Sequence, residues 1–554
     1  GDTVELTTTT GNIELVQVKA NDGATLTSAA AIDGATVIAN NNDVTLEAAH
    51  IASSTVTAEN GAASLTARDG GTIVNTVVGA TGDVTFTAGD LDNLTVSSGG
   101  AILGSGVKGN IVGGEYVAGG AITFDDAALV SKASFDGDSV TLTTTTGNIE
   151  LVGVKANDDA TLTSAADIKG STVIADNGEA SLTAADAIRD TGVTAGTTIA
   201  TSGDIIASTL SAAGNITISN AALADSVTAV STGGAITAND NVDEIKGGEY
   251  TASGAVTLGS DADKLTNLVN ATITAGSLTA HVSNDMTGVL ARIDGQADLN
   301  IGRILGASNL TVGDTLNITG TDDADTQLAN NIIGTVGAIT ATNIGDAVNN
   351  IVTTAAALDL TVADNVVGGE YVAGGAIDVD AALISQASFD GDTVELTTTT
   401  GNIELVQVKA NDGATLTSAA AIDGATVIAN NNDVTLEAAH IASSTVTAEN
   451  GAASLTARDG GTIVNTVVGA TGDVTFTAGD LDNLTVSSGG AILGSGVKGN
   501  IVGGSYVASG AITFDDAALI SQASFDSGDT VELTTTTGNI ELVQVKANDG
   551  ATLT

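Results

Sequence analysis

The chain has 554 residues, 66 of them acidic and 15 basic, for a formal net charge of −51, with no Pro, Cys or Trp. That charge repels nucleic acid and anionic membrane surfaces, with no basic stripe to offset it, and the lack of Cys excludes a disulfide framework. Aromatic residues make up 2% of the chain and apolar residues 42%, so burial falls to Ala, Val, Ile and Leu in a chain too β-branched and apolar for disorder.

Taken from the start, the first elements are short alternating phrases, such as Val4-Glu5-Leu6-Thr7 and later Val84-Thr85-Phe86-Thr87. Period-two alternation is the mark of a half-buried strand. Aligning the phrases puts Leu6, Leu26, Leu46, Leu65, Phe86, Phe124 and Leu142 in one column. They recur every ~18–21 residues, a repeat length typical of solenoids, with one rung between Phe86 and Phe124 that breaks the phrase. A second column holds Ile13, Ile32, Ile51, Ile73, Leu91, Ile111 and Val130. A third, five residues further on, holds Val18, Val37, Val56, Val78, Val96, Tyr116 and Phe135. Three apolar columns at constant phase predict three inward rows, with corners at Gly-Asn, Asn-Asp-Gly, Gly-Asp and Gly-Gly, where positive φ is cheap.

The expected fold is therefore all-β, a parallel β-helix (β-solenoid) of about 28 coils of ~19 residues. At a coil rise of ~4.8 Å this amounts to a rod on the order of 130 Å long. In the middle of the chain Ile168 and Val173, Ile188 and Val193, Ile205 and Leu210, and Ile245 and Tyr250 keep the five-residue offset. From Ser260 to Asp364 the phase is harder to follow, and Leu316 to Asn331 reads as a longer or irregular coil.

A longer repeat overlies the short one. Residues 1–136 return at 391–526 with four differences: Glu115/Ser505, Gly119/Ser509, Val130/Ile520 and Lys132/Gln522. The opening phrase appears a third time at Gly528. The organisation read from this is a module at 1–136, divergent modules at 137–390, a near copy at 391–527 and the start of a further copy at 528–554, all in one continuous rod. No apolar run reaches the ~18 residues that span a bilayer. Gly1 opens without Met, a basic n-region or an apolar h-region, so the sequence reads as a segment of a longer polypeptide.

Candidate chemistry is sparse. The histidines are His50, His281 and His440, the first and last at one repeat position, and none forms a metal-ligand pair. Ser97-Ser98-Gly99-Gly100 opens no helix and precedes no Lys at phosphate-loop spacing. Carboxylates are the one abundant reactive group. Asp125-Asp126, Asp322-Asp323-Asp325, and Asp159 with Asp138 one coil before are the candidates for a glycan-cleaving groove, but the coils look too uniform to supply its walls. No catalytic, cofactor or metal residue is assigned, and the chain is not read as an enzyme. Acidic corners such as Asn21-Asp22-Gly23, Asp136-Gly137-Asp138 and Asn411-Asp412-Gly413 offer oxygen ligands for weak or diffuse calcium binding.

All four tyrosines share one phrase, Gly113-Gly114-Glu115-Tyr116, Gly247-Gly248-Glu249-Tyr250, Gly368-Gly369-Glu370-Tyr371 and Gly503-Gly504-Ser505-Tyr506. In three of them a Phe follows one coil later, at Phe135, Phe389 and Phe525. Their alignment with core valines predicts rings stacked inside the coil; the other reading is a spaced platform on the surface.

Coils reading Gly-x-Val-Thr-Leu-Thr-Ala, without Cys and with few aromatics, resemble the repeat regions of filamentous-haemagglutinin-type adhesins and related giant bacterial surface proteins. The resemblance implies a right-handed β-helix, secretion from a Gram-negative or similar cell, and a role as stalk, adhesin or matrix fibre. The near-perfect long repeat and the acidity depart from that family. Expected partners are the chain itself, end to end or laterally, divalent cations, and cell-surface or matrix glycans. The alternatives carried forward are an ice-binding solenoid and a polysaccharide-active enzyme. Ice binding would use outward pairs such as Thr25/Thr27 and Thr85/Thr87, but Glu5, Glu47, Asp125 and Asn300 occupy equivalent positions.

Overall fold

The computed structural model describes residues 1–321 and 326–554. Its contacts divide into two compact units, Gly1–Gly276 and Ser277–Thr554. Each unit is a stack of coils, and most coils contribute three short strands, while Ala180–Arg189, Ile199–Ile206 and Ser277–Thr287 each run through the first two rows unbroken. In one three-stranded coil the strands are Ala24–Ser28, Ala31–Asp33 and Thr36–Ala39. Each runs parallel to its equivalent one coil later: Ala24 pairs with Val44, Ala31 with His50 and Thr36 with Thr55. The first two strand rows lie in one sheet and the third row in another. The third row holds 14 strands in each unit, every one four residues long, so the chain is an all-β parallel solenoid with the expected number of coils. Helix is confined, among the described residues, to the 3-10 turns Arg68–Gly70 and Arg458–Gly460.

The three columns are three inward rows. Leu26 pairs with Leu6 and Leu46, Ile32 with Ile13 and Ile51, and Val37 with Val18 and Val56. Leu26, Ile32 and Val37 are fully buried. Neighbouring residues along a strand face opposite ways, so alternation alone sends these side chains in and the Thr and Ser between them out. Burying one such side chain contributes roughly 1.5–3 kcal/mol.

The rung that breaks the sequence phrase proves to be a fitted gap. The strand Ile102–Val107 carries Gly104 where the column expects a large side chain, and the register bulges there against Val84–Ala88. A Cβ at Gly104 would lie 2.1 Å from the Phe124 ring. Glycine is therefore what lets two phenylalanines occupy one narrow column.

The corners meet the expectation in part: the pairs Gly113-Gly114, Gly247-Gly248, Gly368-Gly369 and Gly503-Gly504 adopt positive φ. Gly11, Gly23 and Gly82 do not adopt positive φ, although they lie in the phrases expected to use it. The left-handed residue sits instead between the second and third rows: Leu15 (φ 50°), Gly34 (62°), Ser53 (47°), Asn75 (47°) and Asn93 (53°) in successive coils. A residue there must reverse the chain within two positions without blocking the next coil. Only Gly and Asn adopt this conformation readily. Leu15, Leu151 and Leu405 carry the strain, and each leans over a glycine one coil on, Gly34, Gly170 and Gly424.

Coil length varies in the middle of the chain. Val193 pairs with Leu210, 17 residues on, whereas Leu310 pairs with Ile333, 23 residues on. The long coil lies where the sequence reads as irregular, and the extra residues leave the columns in phase.

Candidate functional site

Many polar side chains that could do chemistry are engaged in joining one coil to the next. Asp43 Oδ1 accepts the Ala62 amide at 2.8 Å, Asp83 Oδ1 the Ala101 amide at 2.7 Å and Asp90 Oδ1 the Asn110 amide at 2.6 Å. Asn12 and Asn215 do the same for Ala31 and Ala235. Corner amides have no strand partner, and an unpaired amide costs about as much as a lost hydrogen bond. A short acidic or amide side chain from the preceding coil satisfies them.

The predicted carboxylate candidates follow suit. Asp159 Oδ1 accepts the Glu179 amide at 2.8 Å, and Asp138 Oδ1 accepts Asn157 Nδ2 at 3.1 Å. Asp125 and Asp126 form a bulge between Phe124 and Ala127, with Asp125 exposed. Asp322, Asp323 and Asp325 lie outside the described residues. His50 Nδ1 accepts the Thr72 amide at 3.2 Å, and His440 repeats this with Thr462 at 3.3 Å, so at these corners a histidine stands in for the aspartate. Ser98 Oγ lies 2.8 Å from the Gly82 carbonyl.

At the acidic corners, Asn41 Nδ2 donates to the Asn21 carbonyl at 2.6 Å, Asp136 faces Lys155 at 3.8 Å, and Asn411 Nδ2 donates to Asp392 at 3.1 Å. Among the described residues no group of three or more His, Asp or Glu side chains is placed to hold a metal ion.

The tyrosines are core residues. Tyr116 stacks on Phe135 with ring centroids 5.1 Å apart, Tyr371 on Phe389 at 5.2 Å, and Tyr506 on Phe525 at 5.1 Å. The Gly-Gly pair of each phrase is explained by what surrounds it. Gly114 has φ 95°, and a Cβ there would lie 2.6 Å from the Leu94 carbonyl oxygen and 3.2 Å from the Tyr116 ring. None of the four tyrosine hydroxyls has a hydrogen-bond partner among the described residues. Burial pushes Tyr371 up to about 12, where nearby Asn350 softens the shift without reaching hydrogen-bonding geometry with the hydroxyl. The other three are raised further by burial and then by Asp92, Asp225 and Asp482.

Two kinds of concavity remain on the surface. Where the short coil passes, an open groove of about 670 Å³ is lined by Asp167, Asp186, Asp204 and Arg189. Asp167 accepts the Ala187 amide at 3.2 Å and faces Arg189 Nε at 3.4 Å, and Asp204 accepts the Leu223 amide at 3.0 Å. The groove thus holds two corner caps and an ion pair. Over the Tyr116–Phe135 stack, the outer face has a shallow depression of about 300 Å³ beside Val117, Gly153, Ile174 and the Asp136–Lys155 pair. It recurs at about 280 Å³ beside Val372, Gln407, Ile428 and the Asp390–Lys409 pair, where the ions are 3.1 Å apart.

One acidic ladder stands apart. Register places Asp378 between Asp359 and Glu395, with Asp380 on the same strand. Partial burial and then Asp380, Glu395 and Asp359 hold the Asp378 carboxyl above the usual range. No described helix is long and apolar enough to cross a membrane. No protein-family model, curated protein or solved structure matches the chain.

Sequence reasoning missed the amide-capping role of the aspartates. A signal for it exists: an Asp or Asn recurs just before the first-row strand in many coils, as at Asn12 before the second row, Asp43 and Asp83.

Proposed function

We propose that the chain is a length of extracellular structural filament or adhesin stalk, part of a larger repetitive surface or matrix protein. The observation that carries this reading is the use of corner carboxylates, amides and imidazoles as bonds between coils rather than as a convergent reactive group. The four-residue strands of the third row add to it, because such uniform coils offer no projecting walls around a substrate. Near-exact duplication of 136 residues also suits a product measured in length.

Calcium and magnesium act in this reading as diffuse counterions to a charge of −51, and glycans of a cell surface or matrix are the external partners. Electron micrographs of the isolated chain test the proposal. Slender unbranched rods are expected, together with no turnover of uronate polymers. Turnover that disappears on Asp204→Asn or Asp159→Asn replaces the structural reading with an enzymatic one.

The ice-binding alternative gains one short feature, since Thr141 and Thr143 stand in register with Thr161 and Thr163. Elsewhere the rank is broken, with Thr27 beside Glu47. Zero thermal hysteresis is the expected result.

A further inference from the structure

The charge is unevenly placed, and in each unit the outer face of the third row is nearly balanced. In every third-row strand the second residue points inward and the first and third point outward, as in Gln17–Ala20 and Thr172–Ala175. In the first unit the outward positions of this row carry Glu115, Asp136 and Glu249 against Lys19 and Lys155; in the second they carry Glu370, Asp390 and Asp526 against Arg292, Lys409 and Lys546. The face is thus near neutral in each unit, in a chain of net charge −51. Register cancels half of its acids directly, with Lys155 at 3.8 Å from Asp136, Lys409 at 3.1 Å from Asp390 and Lys546 at 3.0 Å from Asp526.

The same face collects exposed apolar side chains. Val77 (47% exposed) and Val117 lie on it in the first unit, and Leu290, Ile332, Ile351, Val467 and Val507 in the second. Ile332 and Ile351 are register neighbours, 50% and 45% exposed. Most other outward positions are Thr, Ser or Gly, and no strand of the row exceeds four residues. The result in each unit is a strip of near-zero net charge, rich in β-branched side chains.

We infer that this strip is the face through which two copies of the chain associate side by side. The inference deepens the filament reading by naming the surface used. Charge favours a second copy as the occupant: the face sums to about zero in each unit, so its own copy meets it without net repulsion and brings aliphatic and threonine side chains into contact. Area is sufficient as well. Fourteen strands at ~4.8 Å spacing and four residues at ~3.3 Å give on the order of 900 Å² per unit, and a stable interface needs about 800 Å² per partner. A self-complementary strip of this kind suits a two-fold arrangement. Its border is acidic, with Asp22, Asp43 and Glu59 at the corners that follow the strands, so salt that screens the border strengthens the pairing.

Sedimentation equilibrium on the full chain, from 10 to 150 mM sodium chloride without divalent ions, tests this. The expected result is a monomer–dimer equilibrium that tightens as salt rises. Ile332→Glu with Ile351→Glu should weaken it at least tenfold while the circular dichroism spectrum is unchanged. Thr161→Glu with Thr163→Glu, on the outer face of the first row, should leave it intact. A chain that stays monomeric at ~100 μM in 150 mM salt overturns the inference, as does equal weakening by both double variants. A monomer that adsorbs to crystalline cellulose or chitin through Ile332 and Ile351 assigns the strip to a flat polysaccharide and also overturns it. Neither result touches the filament reading, which fails if micrographs show no rods or if uronate turnover depends on Asp204 or Asp159.

Discussion

Val4–Thr8 and Val394–Thr398 have the same five letters and the same strand conformation, yet their cores differ. Leu6 is 36% exposed, whereas Leu396 is fully buried between Val379 and Leu416. Leu6 has a register partner on one side, Leu26. Deeper in the stack the copies converge: Tyr116–Phe124 and Tyr506–Phe514 have the same 5.4 Å centroid distance and the same 75° angle between rings. A coil therefore brings its apolar column with it, but its burial comes from the coils above and below. That is the nearest-neighbour energetics of repeat proteins.

The largest expected effect widens this contrast. Leu396→Ala opens a cavity in a closed column and should cost about 2–5 kcal/mol, while in a chain made to start at Gly1 Leu6→Ala should cost less than half as much. Hydrogen exchange resolved over peptides 390–420 and 1–30 measures the two losses locally, which a global melt of a long stack blurs. Equal losses would contradict the assignment of burial to both neighbours.

Next come positions where the copies should respond alike. Gly114→Ala and Gly504→Ala each place a Cβ 2.6 Å from a carbonyl oxygen at a φ of 90–95°. Each should cost more than about 1 kcal/mol, with exchange rising in the coil that holds the tyrosine. A difference between the two would mean that the substitutions separating the copies, the buried Val130/Ile520 among them, alter the packing around the tyrosine.

Tyr116→Phe and Tyr506→Phe have the opposite sign. Removing a buried hydroxyl that has no partner should stabilise each coil by about 1 kcal/mol. Urea titration of the paired variant against the parent reads the gain, and a loss would mean that the hydroxyls are bonded in solution.

The smallest effect lies at Glu395, which stands in register with Asp378 and Thr415, while in a chain made to start at Gly1 its copy Glu5 stands beside Thr25 alone. The folded stack raises the Asp378 carboxyl above its unfolded range. The fold therefore binds that proton more tightly than the unfolded chain does, and stability falls as pH rises through the folded value. Asp378→Asn should remove this loss, giving a gain below ~1 kcal/mol at neutral pH and none at pH 3, by thermal melts at the two pH values. Glu395→Gln should stabilise slightly at neutral pH, and Glu5→Gln should not.

How much was legible in the sequence can be judged residue by residue. The columns of Leu26, Ile32 and Val37 were readable because strand alternation and a constant period are local properties. The stacked rings of Tyr116 and Phe135 were readable because they align with core valines. The left-handed corner was not, because Leu15 and Ala207 give no sign of positive φ in their letters. Gly104 reads as a broken phrase until Phe124 is seen filling its space. The capping by Asp159 and Asp43 was not readable, because the amides they cap belong to the next coil.

What the sequence determined by itself is the coil: its period, its three inward positions and the duplication that sets its number. Those follow from backbone geometry and the hydrophobic effect acting within about twenty residues. Only the tertiary structure decided which corner turns left-handed, where aspartates spend their oxygens, and that basic residues offset the acids on the third-row face of each unit. Each of these depends on which residues of successive coils come into register, a relation between distant letters that no single coil contains.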